Sequence, residues 1–104
     1  MCRYLEEHYA RRITLEELSA LAGLSKYHLL RCFTRQKGIT PYRYLETVRV
    51  EQAKALLERG APPAEAALRA GFSDQSHFNR LFKPLIGLPP GQYQAAFPAG
   101  KEQT

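Results

Sequence analysis

Cysteine is scarce in this sequence, and the placement of its few cysteines excludes two classes of small protein. The 104 residues include only two, Cys2 and Cys32, thirty positions apart. They form no CxxC pair and no paired histidines accompany them, so neither a disulfide framework nor a metal site is predicted. We expect both thiols to be reduced, Cys32 to be a small core residue, and the protein to need no cofactor.

Long apolar runs are also missing. The longest stretch without a charged side chain, residues 84–100, is interrupted by prolines and glycines, which excludes a membrane span. The first residues, CRYLEEHYARR, are charged and amphipathic and do not resemble a signal peptide, so the sequence predicts a cytoplasmic protein. With 44% hydrophobic residues and mixed charge, the chain should fold as one small domain or as two very small subdomains.

The motifs of catalysis are missing as well. The sequence contains no nucleophile elbow, no phosphate-binding loop, no paired carboxylates in an apolar setting and no metal-ligand spacing. We therefore do not expect an enzyme.

Acidic residues are missing from one segment, although the chain as a whole has both signs of charge and a net charge of +5. Between Lys26 and Arg43 there are five basic residues and no acidic one. Such a local basic patch is a candidate phosphate-binding face, although an ordinary solvated surface accounts for the same pattern.

Helix start and stop signals predict an all-α fold of about seven helices. A capping box at Thr14 and Glu17 opens one helix, which Gly23 ends, and Ser25 caps the next. Further starts are predicted at Thr40, Pro62, Ser73 and Pro89, and further stops at Gly38, Gly60, Gly71 and Gly87. The helix from Thr40 is the longest, with about nineteen residues over roughly 28 Å. The apolar sides expected to form the core are Leu15, Leu18, Leu21 and Ala22; Leu29, Cys32 and Phe33; Tyr44, Leu45, Val48, Leu56 and Leu57; Phe78, Leu81, Phe82 and Leu85; and Tyr93 and Phe97.

The chain contains one unit twice. HLLRCFTRQKGITPYRY, which begins at His28, and HFNRLFKPLIGLPPGQY, which begins at His77, share six of seventeen residues at an offset of 49. Just upstream, AGLS and AGFS match at an offset of 48, so one extra residue enters the second turn. Each unit consists of a short helix, a glycine-containing turn and an amphipathic second helix, which is the helix-turn-helix arrangement.

Two arginines occupy the same position in the two units. Arg31 and Arg80 lie on the polar sides of the second helices, and an arginine on a groove-entering helix is the commonest reader of guanine. The plain alternative is that each is an ordinary surface arginine.

The block SDQSHFNRLFKPLIGLPPGQY, with AGF just before it, resembles the second helix-turn-helix of the AraC/XylS family of bacterial transcription regulators. The block ITLEELSALAGLSKYHLLRCFTRQKGITPYRYL resembles the first. The resemblance implies two homeodomain-like helix-turn-helix subdomains, residues 1–39 and 61–97, joined by a linker helix at 40–60 and followed by a tail at 98–104. It also implies that both recognition helices enter successive major-groove segments of double-stranded DNA, at an asymmetric site.

The resemblance assigns roles to individual residues. Those expected to face bases are Tyr27, Leu30, Arg31 and Arg35 in the first unit and Gln75, Ser76, Asn79 and Arg80 in the second. Those expected to hold phosphates are Ser25, Lys26, Thr40, Ser73 and Lys83. Two positions depart from the family pattern: Leu30 is apolar where many relatives place a polar reader, and Pro84 is expected to end or kink its helix.

The resemblance also bears on partners. Members of the family usually carry a sensor or dimerisation domain on the N-terminal side, so we expect this chain to be a fragment of a longer regulator rather than a stand-alone one. A second hypothesis is a protein-interaction module that contacts RNA polymerase or another regulator through Arg43, Arg49 and the linker helix. An affinity for duplex DNA that falls steeply with salt concentration would argue against the chain being only such a module.

Overall fold

A computed structural model of the chain describes residues 1–96, which contain seven α-helices and no strand. The helices are α1 Cys2–His8, α2 Leu15–Ala22, α3 Lys26–Lys37, α4 Pro41–Glu58, α5 Pro63–Arg69, α6 Gln75–Ile86 and α7 Pro90–Ala96. The predicted all-α fold of about seven helices is confirmed. Phe97 and the predicted tail at 98–104 lie outside the described residues. Among the helices of residues 1–96, none is both long enough and apolar enough to cross a membrane.

The chain divides into two compact units, and the boundary falls inside the longest helix. The first unit comprises Met1–Val48 and the second begins at Arg49. Helix α4 therefore contributes its first part to one unit and its second part to the other. The core of the first unit includes Leu45, whereas Val50 and Leu57 belong to the core of the second. Each unit has a hydrophobic core of its own.

The core of the first unit is built from residues of four helices, with two from α3 and one from each of the others. Five buried side chains form it: Leu5, Leu18, Leu29, Phe33 and Leu45. The ring of Tyr44 meets that of Phe33 edge-on, with 5.8 Å between centroids. Burial of one such leucine or phenylalanine stabilises the fold by roughly 1.5–3 kcal/mol.

Polar contacts attach the N-terminal helix to the rest of the first unit. The Tyr4 hydroxyl donates to the Glu17 carboxylate, and Arg11 donates to the same carboxylate and lies 5.8 Å from the centre of the Tyr4 ring. The hydrogen bonds from Arg11 and Tyr4 lower the pKa of Glu17 to about 2. On the other side of α1, the Tyr44 hydroxyl donates to Glu6 at 2.5 Å, which raises the pKa of Tyr44.

Aromatic rings and alanines fill the core of the second unit. Consecutive ring centroids lie 5.1 Å apart for Phe72 and Phe78, 5.4 Å apart for Phe78 and Phe82, and 5.8 Å apart for Phe82 and Tyr93. The small buried residues are Ala53, Ala66, Ala67 and Ala70. Tilted and edge-on ring pairs of this kind add stability beyond the area that they bury.

The last helix, α7, closes the C-terminal end of α4. The Gln94 side-chain amide donates to the backbone carbonyls of Leu57 and Ala61 at 2.9 and 2.7 Å, and the Tyr93 hydroxyl donates to Glu58. The Leu57 carbonyl also accepts from the backbone N–H of Gly60 at 3.0 Å, so Gln94 adds a second donor at the end of α4, where carbonyls have no partner within the helix. Burial, with the hydrogen bond to Glu58, raises the pKa of Tyr93 to about 12.

Four expectations about the core were wrong, the first being Ala22, which is exposed. Cys32 is exposed, and Leu21 and Leu85 are 55% and 53% exposed. Conversely, Val50 and Ala53 are fully buried although the sequence analysis did not select them. Helical periodicity identifies an apolar side, but neighbouring elements decide how wide the buried stripe is and how far along the helix it extends. Leu21 and Leu85 lie in the last turns of their helices, beyond the part of each helix that neighbouring elements bury.

Pro84 was expected to end or kink its helix, and the first of these alternatives was wrong. Helix α6 runs through Pro84 to Ile86 and stops at Gly87. A proline inside a helix removes the hydrogen bond to the carbonyl four residues earlier. Pro84 lies on the exposed side of α6, where water can take the place of the missing donor.

Candidate nucleic-acid interface

The start of helix α3 is determined by its N-cap. The Ser25 hydroxyl accepts a hydrogen bond from the backbone N–H of His28 at 3.2 Å and lies 2.9 Å from Nδ1 of the same residue. The cap satisfies one of the free N–H groups at the helix start. Ser25, which was expected to hold a phosphate, is exposed at this helix start.

Helix α6 begins with an aspartate rather than with the predicted serine. The Asp74 carboxylate accepts from the backbone N–H groups of Ser76 and His77 at 2.7 and 3.2 Å, whereas Ser73 precedes the cap and is exposed. The prediction failed because Ser73 and Asp74 are adjacent and both residue types are good N-caps. With the extra turn residue counted, Asp74 is the counterpart of Ser25 at an offset of 49.

That offset relates the two helices along their whole length. Both α3 and α6 have twelve residues, and the helix that follows each begins at a proline, Pro41 or Pro90. Each ends at a glycine in the left-handed region: Gly38 has φ +82° and Gly87 has φ +105°. Their N–H groups donate to carbonyls of the preceding turn at 2.7 Å. A side chain would be strained at these positions, so glycine is required there.

Two buried residues at the same positions orient each of these helices. Leu29 and Phe33 in α3 correspond to Phe78 and Phe82 in α6, and all four are at most 5% exposed. Since residues four apart share one helix face, this stripe directs the opposite face to solvent. Neither helix contains an acidic residue.

The exposed face of α3 forms what we call the first reading surface, a shallow groove lined by Tyr27, Leu30, Arg31, Thr34 and Arg35. All four residues that were expected to face bases in this unit are brought together here, and Thr34 joins them. Nη1 of Arg31 donates to the Tyr27 hydroxyl at 3.0 Å, and the guanidinium lies 5.5 Å from the Tyr27 ring centroid.

Leu30 differs from its neighbours on this surface because it is half-buried. It also lines an apolar cavity of about 150 Å³ in the first unit, together with Leu18 and Leu45. Part of its side chain is thus in contact with apolar residues, and only the remainder is available to a ligand of the first reading surface.

The exposed face of α6 forms the second reading surface, a groove lined by Gln75, Asn79, Arg80 and Lys83, with Pro63, Pro89, Pro90 and Gly91. Three of the four residues that were expected to face bases in this unit line this groove. Ser76 is exposed but does not line it. Lys83, which was expected to hold a phosphate, lies beside Arg80 and Asn79 in the groove.

The other residues expected to hold phosphates lie at helix starts. Lys26, the first residue of α3, forms an exposed ion pair with Glu16 at 2.9 Å, and this contact lowers the pKa of Glu16. Such exposed pairs contribute about 0–1 kcal/mol, so a phosphate can replace the carboxylate at little cost. The Thr40 hydroxyl accepts from the backbone N–H of Arg43 at 3.2 Å and thereby caps α4.

One functional feature was missed in the sequence analysis, namely the negative charge of Asp74 at the start of α6. A signal for it was present, because aspartate is as good an N-cap as serine and Asp74 lies 49 residues after Ser25. The structure gives the two reading surfaces different electrostatic surroundings. Within residues 1–96, no cluster of side chains is suited to hold a metal ion.

Each unit thus presents a short helix, a tight turn and a capped second helix with an exposed polar face, and together they define a double helix-turn-helix protein. Residues 18–96 match the model of the helix-turn-helix domain family. With the AraC-family structures described next, this match shows that the chain belongs to the AraC-type helix-turn-helix family, which confirms the resemblance seen in the sequence.

Individual relatives agree with this assignment. The chain is 64% identical over 77 residues to YbfI, an HTH-type transcriptional regulator of Bacillus subtilis, covering 74% of this chain and 28% of YbfI. A probable AraC family transcriptional regulator from Rhodopseudomonas palustris is 35% identical with a TM-score of 0.85, covering 91% of each chain. The DNA-binding domain of AdpA, a global transcriptional factor crystallised with a target DNA, is 32% identical with a TM-score of 0.87, covering 98% of this chain and 93% of that one.

Proposed function

We propose that this chain binds double-stranded DNA in a sequence-specific manner and thereby regulates transcription, with α3 and α6 as recognition helices. The observation that carries the proposal is the repetition, at an offset of 49, of a capped helix with an exposed, acid-free, arginine-bearing face. Family membership supports it, as does the similarity to a DNA-binding domain crystallised with its target.

Arg31 and Arg80 are the proposed readers of base edges. Both are exposed on the reading surfaces, and a guanidinium can donate two parallel hydrogen bonds to the O6 and N7 atoms of a guanine. Asn79 and Gln75 carry side-chain amides, which suit an adenine. Leu30 offers only an apolar contact, such as a thymine methyl group.

The two halves of the DNA site are expected to differ in sequence. At matching positions the first reading surface has Tyr27, Leu30 and Thr34, whereas the second helix has Ser76, Asn79 and Lys83. We propose, on the family resemblance, that the two helices occupy successive major-groove segments and that the site is asymmetric, with some bending of the DNA. The groups at the helix starts, including Ser25, Lys26, Thr40 and Ser73, are proposed to contact phosphates.

The test is a set of arginine substitutions, measured on a duplex selected from random sequence and on versions with single base-pair changes. Arg31→Ala and Arg80→Ala should each weaken binding by about 1–3 kcal/mol and relax the preference in separate halves of the site. Arg59→Ala, an exposed arginine outside both reading surfaces, serves as the matched control and should leave the preference intact. If both reader variants kept the wild-type preference at every base pair, the assignment of readers would be wrong.

Lys26→Ala tests the phosphate contacts. It should weaken binding to all sequences equally and reduce the slope of affinity against salt concentration by about one unit. A loss restricted to one base pair would contradict a phosphate role.

Nothing in the structure favours the alternative of a pure protein-interaction module. Arg43 is paired with Glu46 at 3.6 Å, and Arg49 is half-buried. Contact with RNA polymerase and a sensor domain remain proposals for the longer proteins of the family, since the chain spans only 28% of YbfI. The proposed function is binding without catalysis. It would take place in the cytoplasm, where bacterial DNA lies.

A further inference from the structure

We propose that Tyr27 is a positioning residue that holds the guanidinium of Arg31 in place before DNA arrives, so that the first recognition helix carries a preorganised reader and the second does not. The inference rests on the proposed function, because it assigns the specificity of one half-site to a contact within the protein.

The contact has two parts. The Tyr27 hydroxyl accepts a hydrogen bond from Nη1 of Arg31 at 3.0 Å, and the guanidinium carbon lies 5.5 Å from the centroid of the ring. The second distance is within the range in which a cation is attracted to an aromatic face. The two residues are four apart on α3, which places them on one face of the helix. Among the contacts within residues 1–96, one of the five N–H donors of Arg31 is used, so the others stay available for a base.

Tyr27 is itself held in place by its neighbours. Its ring meets the His28 ring edge-on, with centroids 5.7 Å apart, and Nδ1 of His28 lies 2.9 Å from the hydroxyl of Ser25. Ser25 is the N-cap of the helix. A continuous set of contacts thus joins the cap of α3 to the guanidinium of Arg31, although the Tyr27 side chain is at the surface.

The contact matters because arginine has a long side chain with many rotamers. Fixing those rotamers at the moment of binding costs free energy, and a side chain that is already oriented avoids part of that cost. Orientation also favours the base that matches the arginine, since a guanidinium held in one plane cannot adjust to a poorly matched base.

The second unit provides the comparison within the same chain. Arg80 corresponds to Arg31 at the offset of 49, and the residue four before it is Ser76, which has no ring. The reader of the second half-site therefore lacks the aromatic support that Tyr27 gives to Arg31.

A double-mutant cycle on the full chain tests the proposal. The variants are Tyr27→Leu, which removes both parts of the contact, Tyr27→Phe, which removes only the hydrogen bond, Arg31→Ala, and Tyr27→Leu combined with Arg31→Ala. The readout is the ratio of affinities for duplexes with and without the preferred base pair of Arg31. Tyr27 is 62% exposed, so these variants should fold, as circular dichroism can verify.

Tyr27→Leu should reduce that ratio by about three- to tenfold, and Tyr27→Phe by less. In the Arg31→Ala background, Tyr27→Leu should have no further effect on the ratio. If Tyr27→Leu reduced the ratio equally with and without Arg31, Tyr27 would contact the DNA itself and the positioning role would be overturned. If Arg31→Ala alone left the ratio unchanged, the reader assignment of the proposed function would have failed instead.

Transfer of the aromatic residue gives a second, independent readout. Ser76→Tyr should increase the preference at the base pair of Arg80, and the increase should vanish when Ser76→Tyr is combined with Arg80→Ala. An increase that persisted without Arg80 would overturn the idea that the ring acts through the arginine.

Discussion

Substitutions at Asp74 separate the stability of the second recognition helix from its attraction to DNA. Asp74 accepts two backbone hydrogen bonds, from Ser76 at 2.7 Å and from His77 at 3.2 Å, and it is the acidic residue at the start of α6. Asp74→Ala removes both the cap and the charge. Asp74→Asn keeps an acceptor oxygen at the same place and removes only the charge.

The two variants should differ in stability. Loss of an N-cap costs about 0.5–2 kcal/mol, and Asp74→Ala belongs at the upper end because two N–H groups lose their acceptor. Asp74→Asn retains the acceptor and loses only the attraction between the carboxylate and the helix N-terminus, about 0.3–1 kcal/mol. Urea unfolding followed by circular dichroism measures both. We expect the free energy of unfolding to be lowest for Asp74→Ala, intermediate for Asp74→Asn and highest for the wild type.

Removal of the negative charge of Asp74 should lower the stability of the fold but increase the affinity for DNA. A carboxylate about 8 Å from a phosphate in water repels it by roughly 0.5 kcal/mol, or about a factor of two in affinity. Asp74→Asn should therefore bind DNA of any sequence about twofold more tightly at low salt, and the gain should shrink as salt screens the charge.

The assay is a fluorescence anisotropy titration of the selected duplex and of a scrambled duplex, at two salt concentrations. Thr14→Ala, which removes the N-cap of α2 without changing charge, is the matched control and should give no gain in affinity. The reasoning would be refuted if Asp74→Asn bound both duplexes no more tightly than wild type at low salt, because the carboxylate would then lie far from the DNA.

Three further predictions concern stability. Phe78→Ala should lower the free energy of unfolding by about 3–5 kcal/mol because the ring is fully buried, and a loss below about 1 kcal/mol in urea unfolding would contradict the packing. The hydrogen bond from Arg11 depresses the pKa of Glu17 to about 2, so its stabilisation is complete above about pH 4.5 and is lost as the pH falls toward 2. Glu17→Gln should remove that part of the pH dependence, and an unchanged profile would argue against the contact. Gln94→Ala should cost about 1–3 kcal/mol because it removes two hydrogen bonds, to the carbonyls of Leu57 and Ala61, each worth about 0.5–1.5 kcal/mol, and unchanged thermal unfolding would contradict that role.

Local backbone chemistry accounts for the parts of the fold that could be predicted. Thr14, Ser25 and Thr40 cap their helices as expected, because an N-cap is decided by a hydrogen bond over three residues. Burial was harder to predict, since it depends on elements that are distant in sequence. Cys32 was expected in the core on the basis of periodicity, yet the buried stripe of α3 is narrow and excludes it.

The candidate site was predictable in its location but not in its internal contacts. Seven of the eight residues that the resemblance assigned to base contacts line the two reading surfaces; Ser76 does not. Spacing alone could not show that Arg31 is bonded to Tyr27 or that Lys26 is paired with Glu16, because long side chains have many rotamers. Asp74 was missed for a simpler reason: two residues that both cap helices well, Ser73 and Asp74, are adjacent, and the start signal was assigned to the first of them.

The central claim, that two helices of one chain read DNA sequence, is tested most directly by selection from duplexes with about 30 randomised base pairs. The account predicts enrichment of two different motifs about one helical turn apart, with affinity for the selected duplex about a thousandfold above that for a scrambled control. Weak and equal binding to all duplexes, with no enriched motif, would contradict it.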